Sequence, residues 1–162
     1  MIRFITTGGT IDDIEYTFLE NASFSRPSLL PELLKRGIFT GEYVLEEAFC
    51  KDSRFIEEED REFLAQRCKE CSEEKIIITH GTFTLSDTAK FLESKKIPKT
   101  IVVTGAMIPG NKENTDALFN LGAASIAVQL LPPGVFVVMN GKIFSGNNVK
   151  KNNEKGIFEN EF

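Results

Sequence analysis

Histidine occurs once in this 162-residue chain and cysteine three times, and no apolar run approaches the ~20 residues that a membrane-spanning helix needs. A lone histidine leaves a serine-histidine-aspartate hydrolase only His80 to work with. Three thiols, an odd number, make a poor disulfide framework and suit a reducing compartment. Basic residues are outnumbered: 19 Lys and Arg against 24 Asp and Glu give a formal net charge of -5. Neither nucleic acid nor an anionic membrane surface is therefore an expected partner, since both require clustered cations. The start, Met1 to Ile5, enters apolar sequence at once, without the basic opening and longer apolar stretch of a secretory signal. These absences lead us to expect a cytoplasmic protein whose partner is a small molecule.

What is present is ordinary globular material, with 41% hydrophobic and 27% charged residues. A chain of this length folds by default around one core, burying about 70% of its unfolded surface. No internal repeat, linker or low-complexity tract divides it. The acidic run Glu57 to Asp60 reads as a helix start, where carboxylates meet the positive end of the macrodipole.

Short β-branched runs at Ile2 to Thr6, Lys75 to Thr79, Thr100 to Thr104 and Val135 to Met139 predict buried strands, with Tyr43 to Phe49 a weaker one. They are nearly continuous in Ile and Val, as a parallel sheet covered on both faces requires. Helical spacing separates them: Phe63, Leu64, Cys68 and Cys71; Leu85, Thr88, Ala89 and Leu92; Leu118, Leu121, Ala124 and Val128. The alternation predicts a doubly wound, mainly parallel α/β sheet with helices on both faces. In such folds ligands bind beyond the carboxyl ends of the strands. The last stretch, Asn147 to Phe162, reads as a polar surface tail, were it not for Lys151.

Three predicted strands end alike, in Thr6-Thr7-Gly8-Gly9-Thr10, Thr79-His80-Gly81-Thr82 and Thr104-Gly105-Ala106. Glycine permits positive φ and close approach of a ligand to backbone N–H groups, while threonine offers a hydroxyl as nucleophile or hydrogen-bond partner. A hydroxyl is a weak nucleophile at neutral pH and needs a base, a role open to a lysine whose pKa is lowered by burial or a neighbouring charge. Spacing alone does not choose among the lysines.

Two other patterns carry less. Cys68 and Cys71 form a CxxC on an apolar helix face without the further ligands of a tetrahedral metal site, so no metal or cofactor is expected. Gly105 to Lys112 imitates a phosphate loop, but Asn111 holds the lysine position, Glu113 follows Lys112, and Pro109 lacks the N–H a phosphate cradle would use.

Taken together, Thr6-Thr7-Gly8-Gly9-Thr10-Ile11-Asp12, Thr79-His80-Gly81-Thr82 and Val103-Thr104-Gly105-Ala106-Met107 resemble the successive signatures of bacterial-type asparaginases and glutaminases. The resemblance continues through Asp116 to Gly122 and Met139-Asn140-Gly141 to Asn148 to Asn152, and covers the family's N-terminal domain. Common members carry a second domain, whereas this chain resembles the short-chain members, so residues 1–162 are expected to be one complete asparaginase N-terminal-like domain. The resemblance implies that Thr10 attacks a side-chain amide carbonyl, forming an acyl-enzyme and releasing ammonia before water frees the acid. Thr82 and Lys151 would be the second hydroxyl and the base. Backbone N–H groups around Thr10 and Thr82, with Gly9, Gly81 and Ala106 in the turns, would line the substrate and its oxyanion. Tyr16 would match a loop tyrosine that closes over substrate. Ser53 would hold the substrate carboxylate, with Arg54 as an added bidentate clamp. Family members assemble as dimers or tetramers, so a homodimer or homotetramer is expected.

The pattern breaks after Thr82, where the family places an aspartate that engages the substrate ammonium and this chain has Phe83. Phe55 likewise stands where many relatives have an aspartate. Phenylalanine accepts no hydrogen bond and balances no cation, so L-asparagine is expected to bind poorly. A substrate lacking the α-amino group would remove the need for a carboxylate, as would a carboxylate from another subunit or from Asp12 or Asp13. The competing reading is a catalytically inactive domain binding an amino acid or a partner in the same cleft.

Overall fold

The computed structural model describes residues 1–13 and 27–162. Its strands in chain order are β1 (Ile2–Gly8), β2 (Tyr43–Lys51), β3 (Lys75–Thr79), β4 (Thr100–Thr104), β5 (Gly134–Met139), β6 (Lys142–Ser145), β7 (Lys150–Asn152) and β8 (Ile157–Glu159). Its helices are α1 (Leu30–Arg36), α2 (Glu58–Glu70), α3 (Leu85–Ser94) and α4 (Ala117–Leu130). The five β-branched runs thus all form strands, and they make a single sheet in the order β2-β1-β3-β4-β5-β6. Strands β1 to β5 pair in parallel, and β6 returns antiparallel as a hairpin edge on β5.

Alternate side chains feed two cores, as a strand covered on both faces must. Ile76 and Ile78 point to the layer of α2 and α3, where Leu64, Cys68, Leu85, Ala89 and Leu92 close over them. Ile77, one residue out of phase, points to the layer of α1 and α4, against Leu33, Leu121, Ala124 and Val128. The expected doubly wound α/β sheet with helices on both faces is therefore what forms. The acidic run starts α2, where the Asp60 carboxylate accepts from the Glu57 backbone N–H at 2.9 Å.

Three expectations need correction. Phe63, expected on the buried face of α2, is 44% exposed; Leu64, Ala65 and Cys68 make the contact, and Cys71, just past the helix end, packs partly buried against the same core. Helix α1 and strand β6 had no expectation at all. The polar tail is not a tail, since it folds as the antiparallel hairpin β7–β8, with Val149 and Phe158 buried in the α2/α3 core.

Strand order places the reversal of winding between β1 and β3: the chain goes one way to β2, then crosses β1 to reach β3, β4 and β5. The carboxyl ends of strands at such a switch point leave a crevice between diverging loops.

Candidate active site

The turns after β1, β2 and β3 pack backbone against backbone at this crevice. Gly8 and Gly9 take φ of 93° and 78°, which disfavours any side chain. A Cβ on Gly9 would stand 2.4 Å from Gly81 Cα, and one on Gly81 would stand 2.7 Å from Ser53 Cβ. Glycine at both positions lets the three turns stack. Thr7 Oγ1 donates to the Thr79 carbonyl at 2.8 Å, tying β1 to β3 just below them.

A cavity of about 220 Å³ opens above these turns, lined by Gly9, Thr10, Ser53, Gly81, Thr82 and Phe83, together with Asp52, Arg54, Met107 and Pro109. Of the residues expected in the site, Gly9, Thr10, Ser53, Arg54, Gly81, Thr82 and Phe83 all meet here. Tyr16 lies outside the described residues. Ala106 is fully buried in the α1/α4 core, and Met107 after it lines the cavity instead. Asp52, Met107 and Pro109 were not expected.

Lys151 arrives from the far end of the chain on β7. It pairs in register with Phe158, whose side chain anchors the hairpin and whose N–H donates to Asn140 Oδ1 at 2.8 Å. From there the Lys151 Nζ reaches Thr82 Oγ1 at 2.8 Å. Burial holds the Lys151 pKa below its ordinary value of 10.5, because desolvation penalises the ammonium form. That shift favours the neutral amine, which can accept a proton from the hydroxyl it touches.

Phe83 is 56% exposed and sits among cations rather than in an apolar wall. Lys151 Nζ lies 4.6 Å from its ring centroid and Arg54 Cζ 5.1 Å, distances at which the ring quadrupole attracts both. Arg54 in turn is paired with a carboxylate of its own chain: its Nε and Nη2 donate to Asp52 at 3.0 and 2.5 Å. Asp52 also accepts the Arg54 backbone N–H at 2.9 Å. Burial opposes ionisation of Asp52, but these bonds to Arg54 outweigh it and hold the carboxyl below the usual carboxylate range.

His80 is completely buried directly beneath Gly81. Its Nδ1 lies 2.8 Å from the Gly81 carbonyl, an acceptor only, so Nδ1 carries the proton. Nε2 must then accept, and Thr88 Oγ1 donates to it at 2.9 Å while itself accepting from Arg61 Nε at 3.1 Å. Burial pushes the His80 pKa down to about 4; the Gly81 carbonyl raises it less, and Arg61 lowers it further. The imidazole is a neutral strut that aims the Gly81–Thr82 peptide.

The β4 turn is held from α4. Asp116 accepts the backbone N–H groups of Met107 at 3.0 Å and of Ile108 at 2.9 Å, and Asn120 Nδ2 donates to the Gly105 carbonyl at 3.0 Å. The amides that a phosphate loop would offer are thus engaged by an internal carboxylate. A larger cavity, about 510 Å³, lies by Met1 and Glu42 between α1 and α4, and no histidine, lysine or cysteine lines it.

Comparison with known proteins agrees with this architecture. A family model described as "Asparaginase, N-terminal" matches residues 1–158. The chain is 34% identical to a glutaminase-asparaginase of Pseudomonas fluorescens biotype A, over 93% of its own length and 45% of the relative's. It is 30% identical to an L-asparaginase of Thermococcus kodakarensis, over 93% and 47%. Among solved structures, the thermostable L-asparaginase from Thermococcus kodakarensis superposes with a TM-score of 0.84 at 27% identity, over 98% of this chain and 50% of that one. A probable cytoplasmic L-asparaginase from Campylobacter jejuni gives 0.82 at 27%, over 98% and 52%. The fold and the stacked glycine turns define an α/β domain with a candidate site at the switch point, and the chain belongs to the asparaginase family through that family's N-terminal domain. It spans about half the length of the curated relatives it matches.

Proposed function

We propose that this chain hydrolyses a side-chain amide to an acid and ammonia through a threonine acyl-enzyme. Thr10 is the nucleophile: its Oγ adds to the amide carbonyl, its proton leaves toward the Thr82 and Lys151 pair, and the carbonyl becomes an oxyanion. Collapse breaks the C–N bond, and the departing nitrogen takes a proton to leave as ammonia. Water then attacks the acyl ester, giving the free acid and restoring the Thr10 hydroxyl. The observation that carries the reading is the 2.8 Å contact between Lys151 Nζ and the hydroxyl of Thr82, a residue that lines the same cavity as Thr10. A base needs hydrogen-bond reach and a pKa drawn toward working pH, and the burial of Lys151 moves it in that direction. Similarity to glutaminase-asparaginase and L-asparaginase relatives supports an amide substrate. The same reading includes a cytoplasmic site of action and self-association as a dimer or tetramer.

The test is ammonia release from asparagine, glutamine and their des-amino analogues by the native protein and by Thr10→Ala. We expect turnover on at least one amide, reduced about 10³-fold or more in the variant. Equal rates in the two proteins on every amide would overturn the hydrolase and leave a binding domain.

A further inference from the structure

Two segments that carry the family resemblance, Asp116 to Gly122 and Met139-Asn140-Gly141, supply no group to the proposed proton route. Their asparagines meet each other instead, where Asn120 Oδ1 accepts the Asn140 backbone N–H at 3.2 Å. Asn120 is 1% exposed, and its Nδ2 donates both to the Gly105 carbonyl and to Asp116 Oδ2, each at 3.0 Å. Asp116 in turn holds the backbone N–H groups of Met107 and Ile108. One buried carboxamide therefore ties the β4 turn, which brings Met107 to the cavity, to the turn between β5 and β6.

Asn140 and Gly141 form that turn, between the paired residues Met139 and Lys142, with φ of 55° and 72°. A tight hairpin needs positive φ at both central positions, and glycine would serve at 140 at least as well as asparagine. What glycine would not supply is the side chain, whose Oδ1 accepts the Phe158 N–H at 2.8 Å. Phe158 faces Lys151 across the hairpin, and β7 and β8 form a two-stranded sheet of their own. Such a hairpin is marginal alone. The Asn140 carboxamide takes the place of the next strand, on the side of β8 that faces away from β7. The buried Val149 and Phe158 side chains set the depth of the hairpin. Apolar burial is non-directional, however, whereas a hydrogen bond fixes direction as well as distance.

We propose that Asn140 is a positioning residue for the base: its carboxamide, on a backbone held by Asn120, fixes β8 at Phe158 and thereby the approach of Lys151 Nζ to Thr82 Oγ1. The inference rests on the reading of Lys151 as the base of an amide hydrolase. Asn140 touches no reacting atom in that scheme. It acts through the strand opposite the lysine, and a displacement of about 1 Å at a catalytic group can cost about 10²-fold in rate.

Two substitutions separate the side chain from the backbone. Asn140→Gly keeps the positive φ and removes the acceptor, whereas Asn140→Asp keeps an acceptor oxygen on a residue that also tolerates this φ. On protein shown to be folded by its urea curve, Asn140→Gly should lower kcat about tenfold or more with KM changed little. Asn140→Asp should recover most of the loss. Two measurements need no turnover. Hydrogen exchange at the Phe158 amide reads the Asn140 bond directly, and the NOE between the Thr82 methyl and the Lys151 ε-methylene reads the placement of the lysine. Both should weaken in Asn140→Gly and return in Asn140→Asp. An Asn140→Gly protein that keeps the native NOE overturns the proposal, as does one that keeps native kcat, and so do equal losses in the two variants, which would trace the effect to the backbone. Should the native protein hydrolyse no amide, exchange and NOE still decide what Asn140 holds in place, so failure of the hydrolase reading and failure of this one remain distinct.

Discussion

Lys151 and Thr82 are 69 residues apart in sequence, yet the lysine Nζ lies 2.8 Å from the threonine Oγ1. Nothing local brings them together. Thr82 is set by the β3 turn, which Gly81 lets pack against Gly9 and Ser53. Lys151 is set by a hairpin whose only deep anchors are Val149 and Phe158. The hydrogen bond is where two independently built parts of the fold meet, and the proposed proton route runs through it.

Replacing Lys151 with Met keeps the length and apolar stem of the side chain and removes the amine. We expect kcat to fall about 10²- to 10⁴-fold, the usual contribution of a positioned base, with KM changed little. Urea unfolding of the variant should be near native, which distinguishes loss of the base from loss of the hairpin.

The rate should depend on pH through the same group. The neutral amine is the competent form, so kcat rises with pH through the Lys151 pKa. Because burial lowers that pKa, the midpoint of the rise lies below 10.5. Phe83→Asp would replace a ring 4.6 Å from the Nζ with a carboxylate, favour the ammonium form, and move the rising limb to higher pH. A limb that stays put or moves down would remove Lys151 as its origin.

His80 gives stability a pH dependence of known sign. Its pKa is about 4 in the folded chain against an ordinary value of 6.5, so below 6.5 the unfolded chain binds a proton that the folded one refuses. Stability from this group is complete above about 6.5 and is lost as pH falls toward 4. A shift of that size corresponds to about 3 kcal/mol. His80→Asn keeps a donor near the Nδ1 position for the Gly81 carbonyl and cannot titrate. Urea denaturation of both proteins from pH 7 to pH 4.5 should show the native chain losing more stability than the variant.

How much of this was readable from the sequence depended on range. Ile76, Ile77 and Ile78 announce a strand covered on both faces, and their alternation into separate cores follows from the pleat alone. The Thr-Gly turns announce a site, because strand ends in such a sheet converge. The Arg54 partner was missed although Asp52 is two residues away, since nothing in the sequence tells whether a guanidinium closes on its own chain or waits for a ligand. Ala106 has its side chain buried in the core while Met107 after it lines the cavity, and nothing in the Thr-Gly-Ala-Met run tells which of two successive turn residues faces which way. The hairpin was missed for a different reason. Strands of three residues with Lys, Asn and Glu in them carry almost no periodic signal, and their stability comes from two apolar side chains that find a distant core.

That last point can be tested directly. Phe158 is 1% exposed and pairs in register with Lys151, so truncating it should both destabilise the chain and displace the base. Removing a buried phenylalanine side chain typically costs about 3–5 kcal/mol, enough to lower the urea midpoint clearly. If the hairpin serves to hold Lys151 at Thr82, Phe158→Ala should lose activity at urea-free conditions where the protein remains folded, and Phe158→Leu should recover much of it. The double variant Phe158→Ala with Lys151→Met should then be little less active than Lys151→Met alone, because the two changes disable one device. Additive losses would mean that Phe158 supports the site by some route other than the lysine.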